Sequence, residues 1–220
     1  MDGAQPAAER LRAGLDALGL ALAPEACARL LAYLELLAKW NRAYNLTAVR
    51  DPAEMVPRHL LDSLSIAHLI EGRRVADVGT GPGLPGIPLA IAQPDRHFVL
   101  IDSNAKKTRF VFQALSELGV ANAEVVRQRV ETYRPRRPFD TVLARAFAPL
   151  DRLLGAVAHL CAPGARVVAM RGARPEGELE GLPAGFELRG VEPLRVPGLE
   201  GERCALLIAR TGGRGQDKGP

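Results

Sequence analysis

Residues 74–86 read Arg-Val-Ala-Asp-Val-Gly-Thr-Gly-Pro-Gly-Leu-Pro-Gly, and this stretch decides the fold of the chain. A short run with β-branched residues carries Asp77 and then breaks into Gly79, Gly81, Gly83 and Gly86. Glycine has no Cβ and reaches positive φ at low cost, so backbone at such a strand end comes very close to a ligand. A helix beginning just beyond would point its free N–H groups at that ligand. The stretch therefore predicts a strand, a cofactor-binding loop and a helix in succession.

The composition is that of a globular chain that buries a core, with 220 residues of which 47% are hydrophobic. It contains no apolar run long enough for a transmembrane helix, and its N-terminus lacks the pattern of a signal peptide, so we expect a cytoplasmic protein without a membrane partner. Its three cysteines are far apart and form no Cys-x-x-Cys pair, which predicts neither disulfides nor a metal site. The net charge of +4 permits a nucleic-acid partner without requiring one.

The pattern of apolar residues changes at Arg73. Before it, apolar residues recur at helical spacing in three stretches, about 7–19, 24–44 and 52–70. After it, short apolar runs alternate with helical patterns, which is typical of parallel strands joined by right-handed crossovers. The predicted strands are 74–79, 97–102, 123–128, 140–145, 166–171, 186–195 and 203–210. The predicted helices between them are 86–93, 105–118 and 149–160.

The last two predicted strands are joined by a turn rich in proline and glycine, with no room for a helix, so they form an antiparallel hairpin. The sequence thus predicts an α/β, Rossmann-like fold: a helical N-terminal extension over residues 1–72, and a seven-stranded, mostly parallel sheet with a reversed C-terminal hairpin over 73–210. A disordered tail is expected over 211–220.

The glycine loop matches the dinucleotide pattern G-x-G-x-x-G over Gly81–Gly86, and the next strand ends at Asp102, a candidate acceptor for ribose hydroxyls. NAD and S-adenosylmethionine both contain adenosine, so this pair alone does not separate them. Asp77 favours S-adenosylmethionine, because its carboxylate suits a methionine ammonium and would repel a pyrophosphate. Pro82 and Pro85, with Pro88 beyond them, remove N–H donors that a pyrophosphate would use. The chain after the loop is also too short for a complete dehydrogenase.

Several segments carry a resemblance to a known family. They are Asp77-Val-Gly-Thr-Gly-Pro-Gly-Leu-Pro-Gly-Ile-Pro88, Trp40-Asn41, Tyr44-Asn45-Leu46-Thr47, Arg58-His59-Leu60-Leu61-Asp62-Ser63, Leu100-Ile101-Asp102-Ser103, Arg145-Ala146-Phe147-Ala148, Val196-Pro197 and Gly201-Glu202-Arg203. In this order they resemble the bacterial glucose-inhibited-division-B family, the guanine-N7 methyltransferases of 16S ribosomal RNA. The resemblance covers about residues 30–210. It implies S-adenosylmethionine as cofactor, and 16S ribosomal RNA or the assembling small subunit as partner. We expect the protein to act as a monomer.

The resemblance also implies site residues. Cofactor-binding positions carried over from the family are Gly79, Leu84, Val130, Glu131 and Arg145, beside Asp77, Gly81 and Asp102 from the residues themselves. Candidate RNA-binding residues are Arg58, His59, Lys106 and Arg145. Guanine N7 carries a free lone pair and no proton, so we expect no general base and no catalytic dyad. Rate would come from positioning, with Arg145 the best candidate for that role.

Further expectations concern the surroundings of the site. Asp62 and Ser63 are candidates to tie the helical extension to the glycine loop, with a plain polar helix face as the alternative. Trp40 and Tyr44 either stack a base or, as their neighbouring leucines favour, belong to the core. A set of arginines would form an RNA footprint if they converge at the cleft mouth: Arg127, Arg129, Arg134, Arg136, Arg137, Arg145, Arg171 and Arg174.

Three other functions stay open on the sequence. A methyltransferase of another RNA, a protein or a small molecule would share the fold. An NAD-linked oxidoreductase would share the glycine pattern and would bind a nicotinamide cofactor. A non-enzymatic RNA-binding module would bind RNA without S-adenosylmethionine and would leave the glycine loop unexplained.

Overall fold

A computed structural model describes residues 4–173, 177 and 181–211, with side chains from residue 7 onward. Arg174 and residues 212–220, on which two of the expectations above rest, lie outside the described residues. The described helices are α1 (Ala4–Ala17), α2 (Pro24–Tyr44), α3 (Pro52–Met55), α4 (Asp62–Leu64), α5 (Gly86–Ala92), α6 (Ala105–Glu117) and α7 (Leu150–Val157). The strands are β1 (Arg74–Val78), β2 (His97–Ile101), β3 (Ala123–Val126), β4 (Phe139–Arg145), β5 (Cys161–Arg171), β6 (Phe186–Pro193) and β7 (Cys204–Arg210).

The seven strands form one sheet in the order β3-β2-β1-β4-β5-β7-β6. The pairs β1–β2, β1–β4, β2–β3 and β4–β5 are parallel, whereas β7 pairs antiparallel with both β5 and β6. The predicted seven-stranded sheet with a reversed C-terminal hairpin is therefore confirmed. The structure adds that β7 inserts between β5 and β6, so β7 alone runs against the other strands.

Alternate residues of the sheet feed two hydrophobic clusters on its two faces, as the two-residue repeat of a strand requires. On one face, Val75 and Leu100 pack in the same cluster as Leu30 and Tyr33 of α2 and Phe110 of α6. On the other face, an alternate set of strand residues packs with the leucines of α7. The helical extension therefore shares one core with the sheet and covers the face from which α5 and α6 also pack.

The third predicted helical stretch, 52–70, is wrong as a single helix. After α3 the chain forms one π-helical segment over Val56–Leu61, and after α4 a 3₁₀ turn over Ala67–Leu69. Pro57 has no N–H to donate within the π-helical segment, which disfavours a regular α-helical pattern there. The break matters because the segment carries Arg58 and His59 at the edge of the site.

The strand register brings three predicted site positions to one edge of the sheet. Val78, the last residue of β1, lies beside Ile101 of β2 and Ala144 of β4. Gly79, Asp102 and Arg145 follow these three residues directly. Ligands of open α/β sheets bind beyond the carboxyl ends of the strands, where the strand order reverses. In this sheet the order reverses between β1 and β4, next to these residues.

Among the described residues, none of the helices combines the length and apolar character needed to cross a bilayer.

Candidate active site

The side chain of Asp77 holds the glycine loop through hydrogen bonds from inside the protein. Its carboxylate is fully buried, and Oδ2 accepts hydrogen bonds from the Thr80 hydroxyl at 2.6 Å and from the Gly86 N–H at 2.8 Å. Burial raises the pKa of Asp77 to about 6, although both hydrogen bonds act in the opposite direction. Its second oxygen, Oδ1, is buried and has no hydrogen-bond partner. A buried acceptor without a donor is costly, and an ammonium group is a donor that would satisfy it.

Asp102 holds the other side of the same loop. Its Oδ2 accepts from the N–H of Gly81 at 2.9 Å, and its Oδ1 accepts from the N–H of Asn104 at 2.8 Å. Each oxygen keeps lone-pair capacity for a further donor, as ribose hydroxyls would supply. Gly81 adopts a φ of +60°, and a Cβ added there would meet only the Gly79 carbonyl oxygen, at 4.0 Å. The space above this glycine is open.

A cleft of about 290 Å³ lies over this loop. It is lined by Gly79, Asp102, Ser103, Lys107, Gln128, Arg129, Val130, Glu131, Ala146 and Phe147. The structure thus brings together Gly79, Asp102, Val130 and Glu131, four of the predicted cofactor positions, and we call this space the cofactor cleft. Leu84 does not line it, because its side chain is 2% exposed and packs in the core. The side chain of Leu84 therefore supports the loop from inside.

Sequence reasoning missed Phe147, which lies directly on Gly79. A Cβ on Gly79 would come within 2.5 Å of the Phe147 ring, so glycine is required there by packing as well as by its φ of +67°. The preceding Ala146 has a φ of 49°, a conformation that non-glycine residues rarely adopt. The signal in the sequence was an aromatic residue just past the end of a buried strand.

A second cleft, of about 450 Å³, opens on the other side of Ala146. Its lining residues are Val49, Arg58, His59, Asp62, Arg145, Ala146, Met170, Arg171, Gly172 and Arg203. We call it the arginine cleft, since four of these residues are arginines. Arg145 belongs to this cleft and does not line the cofactor cleft. The positive charge of Arg145 opposes the burial that raises the pKa of Asp77 and of Tyr33, so its guanidinium lies within electrostatic range of the glycine loop.

Asp62 orders the arginine cleft. Its Oδ2 accepts from Arg145 at 3.0 Å, and its Oδ1 lies 3.5 Å from the Nε of Arg203. Arg145 also donates to the carbonyl of Arg58 at 3.3 Å. The expectation that Asp62 and Ser63 tie the extension to the glycine loop is wrong for Asp62, which pairs with Arg145 at the end of β4 and with Arg203 just before β7. The buried hydroxyl of Ser63 has no hydrogen-bond partner in the described structure.

The residue that does reach the glycine loop from the extension is Tyr33. Its buried hydroxyl donates to the carbonyl of Pro82 at 2.8 Å. The sequence hid this contact, because Tyr33 lies within the leucine stripe of α2 and looks like a core residue. Trp40 packs against Phe110 with ring centroids 5.6 Å apart, as its core interpretation expects. The core interpretation is wrong for Tyr44, which is 41% exposed, and neither residue lines the two clefts.

His59 lines the arginine cleft as a neutral side chain at physiological pH. Burial, with the positive charge of Arg145 as a further cause, lowers the pKa of His59 to about 4. One ring nitrogen, Nε2, lies 3.1 Å from the hydroxyl of Thr47, and the other, Nδ1, has no partner. Any contact that His59 makes with RNA is therefore made without a positive charge.

The predicted arginine footprint is only partly assembled. Arg145 and Arg171 line the arginine cleft and Arg129 lines the cofactor cleft, while Arg127 follows β3 at the same edge of the sheet. Arg134 donates to the carbonyl of Glu131 at 2.7 Å, beside the cofactor cleft, whereas Arg136 and Arg137 line neither cleft. Lys106 is exposed on the first turn of α6, next to the cofactor cleft, which its neighbour Lys107 lines.

Curated relatives match the chain along most of its length. A protein of Methylococcus capsulatus named ribosomal RNA small subunit methyltransferase G is 55% identical over 92% of this chain and 98% of its own. A protein of the same name from Ectopseudomonas mendocina is 51% identical over 96% of this chain and 100% of its own.

Solved structures show the same fold at low sequence identity. A methyltransferase from Aquifex aeolicus described as SAM-dependent superposes with a TM-score of 0.53 at 20% identity, covering 73% of this chain and 94% of its own. A protein of Thermoplasma acidophilum described as a methyltransferase superposes with a TM-score of 0.51 at 12% identity, covering 64% and 69%. The methyltransferase interpretation of the chain is confirmed, and the NAD-linked and non-enzymatic interpretations find no support. The family model for rRNA small subunit methyltransferase G matches residues 26–207, and the chain belongs to that family.

Proposed function

We propose that this protein transfers a methyl group from S-adenosylmethionine to N7 of a guanine in small-subunit ribosomal RNA, in the cytoplasm where the subunit is assembled. The observation that carries the proposal is the meeting of two clefts at Ala146. One contains the glycine loop and its carboxylates, and the other is lined by arginines. A methyl donor in the first cleft and a nucleotide in the second would face each other across a single residue.

The cofactor cleft fits the parts of S-adenosylmethionine. Asp77 offers an unsatisfied carboxylate oxygen for the ammonium, and Asp102 offers lone pairs for the ribose hydroxyls. Val130 is 4% exposed and presents an apolar wall, while Glu131 beside it is exposed and free to accept from an adenine amino group. When bound, the cofactor supplies a methyl group on a positively charged sulfur, which departs as a neutral thioether. The Phe147 ring on Gly79 lines the same cleft and offers a further apolar wall.

The arginine cleft fits a nucleotide. Arginine binds phosphate through a planar, bidentate set of donors and stacks on bases. Asp62 fixes Arg145 and Arg203 at the cleft wall, which limits the conformational entropy that these side chains lose when RNA binds. Arg58 is half-exposed, and Glu54 pairs with it at 2.6 Å. A guanine buried in an RNA fold would have to leave its stack to enter such a cleft.

The chemistry requires positioning and no proton transfer to the enzyme. N7 attacks the methyl carbon with its own lone pair, the carbon–sulfur bond breaks in line, and the positive charge passes from sulfur to the guanine. The neutral His59 titrates near pH 4 and is not required as a base. Holding the two reactants at the right distance and angle is itself a large contribution to rate. We expect Arg145 to act as a positioning residue, because it is anchored by Asp62 next to Ala146.

The test is methyl transfer from labelled S-adenosylmethionine to small subunits taken from cells that lack this gene. Cleavage of the RNA at N7-methylguanine then maps the product. We expect one labelled guanine, and no label on subunits from cells that carry the gene, because their site is already occupied. If the protein binds the cofactor but transfers no methyl group to the subunits or to their protein-free RNA, the proposed RNA substrate is refuted. A label at another atom of guanine would refute the N7 position.

A further inference from the structure

The exposed face of α6 combines unpaired cations with an exposed aromatic ring. Lys106 and Arg109 lie three residues apart on the helix, and Phe112 follows after three more, so their side chains run along the solvent side. The opposite side is buried, with Phe110, Val111 and Ala114 in the core. The function proposed above assigns no role to Arg109 and Phe112.

The cations of this face have no partner within the described part of the chain. The side chains of Lys106, Lys107 and Arg109 donate no hydrogen bond and form no ion pair there, and the first turn of α6 contains no acidic residue. Lys106 and Lys107 occupy the N-terminal turn, where the partial positive charge of the helix disfavours cations. Two lysines at this end therefore do not stabilise the helix. Binding of a polyanion would offset their unfavourable interaction with the helix dipole.

Phe112 is the most exposed large hydrophobic side chain among the described residues, at 65%, compared with 41% for Tyr44. An exposed phenylalanine beside Arg109 and Ser116 on the solvent side of a helix gains little in the folded protein alone. Its neighbour Arg109, one helical turn away, carries a charge that attracts phosphate. Aromatic rings next to basic side chains bind single-stranded nucleic acid by stacking on its bases.

The exposed face of α6 leads away from the cofactor cleft. Lys107 and Ser103 line the cofactor cleft, and Phe112 lies about 7.5 Å farther along the helix axis than Lys107, at 1.5 Å per residue. A strand of RNA leaving the reaction centre past the helix N-terminus would meet Lys106, then Arg109, then Phe112.

We propose that this face of α6 is a docking surface for the RNA strand that flanks the target guanine, with Arg109 and Lys106 on its phosphates and Phe112 stacked on an unpaired base. The inference rests on the function proposed above. It names the substrate as RNA that is single-stranded beside the methylated base, because a ring stacks on a base only where that base is free of its neighbour.

The experiment compares three variants with the wild type: Phe112→Ala, Phe112→Tyr and Arg109→Ala. The dissociation constant for protein-free small-subunit RNA is measured at several salt concentrations, together with KM and kcat for methyl transfer to intact subunits. Phe112→Ala should raise the dissociation constant at least about fivefold without changing its salt dependence, since stacking neutralises no phosphate. Phe112→Tyr keeps the ring and should bind like the wild type. Arg109→Ala should lower the slope of log affinity against log salt by about 1.

Arg136→Ala is the matched control, because Arg136 is an exposed arginine that lies away from both clefts and from α6. It should leave RNA affinity unchanged. All variants should melt like the wild type and bind S-adenosylmethionine equally well, and the defects should appear in KM with kcat retained.

Wild-type affinity in both Phe112→Ala and Arg109→Ala would overturn the inference. A defect on intact subunits that disappears on protein-free RNA would also overturn it, since the face would then bind a ribosomal protein. If the wild type neither binds nor methylates small-subunit RNA, the proposed function itself fails, and that result is distinct from both.

Discussion

Replacing Tyr33 by phenylalanine removes one oxygen atom and tests whether the helical extension holds the cofactor loop. In the structure the Tyr33 hydroxyl donates to the Pro82 carbonyl at 2.8 Å, inside the protein. Burial raises the pKa of this hydroxyl, so it keeps its proton and remains a donor throughout the working pH range. Tyr33→Phe leaves the ring in place against Phe110 and leaves the Pro82 carbonyl without this partner.

The expected loss follows from that unsatisfied carbonyl. An orphaned buried acceptor costs about 1–3 kcal/mol, and we take about 2 kcal/mol for Tyr33→Phe. For a chain of this size that corresponds to a melting temperature lower by about 4–8 °C. Because the carbonyl belongs to the loop, part of the cost should reach the cofactor, with a dissociation constant for S-adenosylmethionine raised by about 3- to 30-fold.

Thermal unfolding followed by circular dichroism and cofactor binding by calorimetry measure the two effects. Tyr44→Phe is the matched control, since Tyr44 is 41% exposed and lines neither cleft. If Tyr33→Phe melts and binds like Tyr44→Phe, the reasoning is refuted. A lower melting temperature with unchanged cofactor affinity would show that the bond stabilises the fold without shaping the loop.

Three further predictions concern the two clefts. Gly81→Val should abolish binding of S-adenosylmethionine while the protein stays folded, because valine is strained at a φ of +60° and its side chain would fill the open space over the loop; calorimetry that finds wild-type affinity would contradict the loop assignment. The affinity for S-adenosylmethionine should be full above pH 6 and fall by about tenfold per pH unit below it, as Asp77 takes up a proton and loses the charge that pairs with the ammonium. Asp77→Asn should bind weakly with no such pH dependence, and a variant that retains the pH dependence would exclude Asp77 as its source. Asp62→Asn should lower the free energy of unfolding by about 1–3 kcal/mol in urea titrations, because Arg145 and Arg203 then face each other without their shared carboxylate, and unchanged stability would show that solvent screens the pair.

The parts of the site that the sequence predicted are those set by local chain geometry. Gly79 and Asp102 follow directly after buried strands that pair in parallel, so their meeting at one sheet edge follows from the strand prediction. Val130 and Glu131, which only the family resemblance implied as site residues, follow the third strand and lie in the same cleft. These positions depend on the strand order and on nothing farther away.

The parts that the sequence missed depend on contacts between distant segments. Tyr33 and Pro82 are 49 residues apart, and Asp62 and Arg145 are 83 apart. Nothing in a hydrophobic stripe marks one tyrosine as a hydrogen-bond donor to a loop, and nothing in a polar helix face tells which arginine an aspartate will meet. The sequence left open for the same reason whether the arginines converge, since composition shows how many arginines exist and not which sheet edge they reach.

The sequence by itself determined the order of helices and strands, the reversed hairpin and the glycine loop, because periodicity and backbone freedom are properties of neighbouring residues. Its motifs also carried the family. Only the tertiary structure decided that Arg145 lines a second cleft, where it pairs with Asp62. It also decided that Phe147 packs on Gly79 and that the Tyr33 hydroxyl bonds to the glycine loop. Each of these is a distance between segments, and such distances are fixed only when helices and sheet pack around a common core.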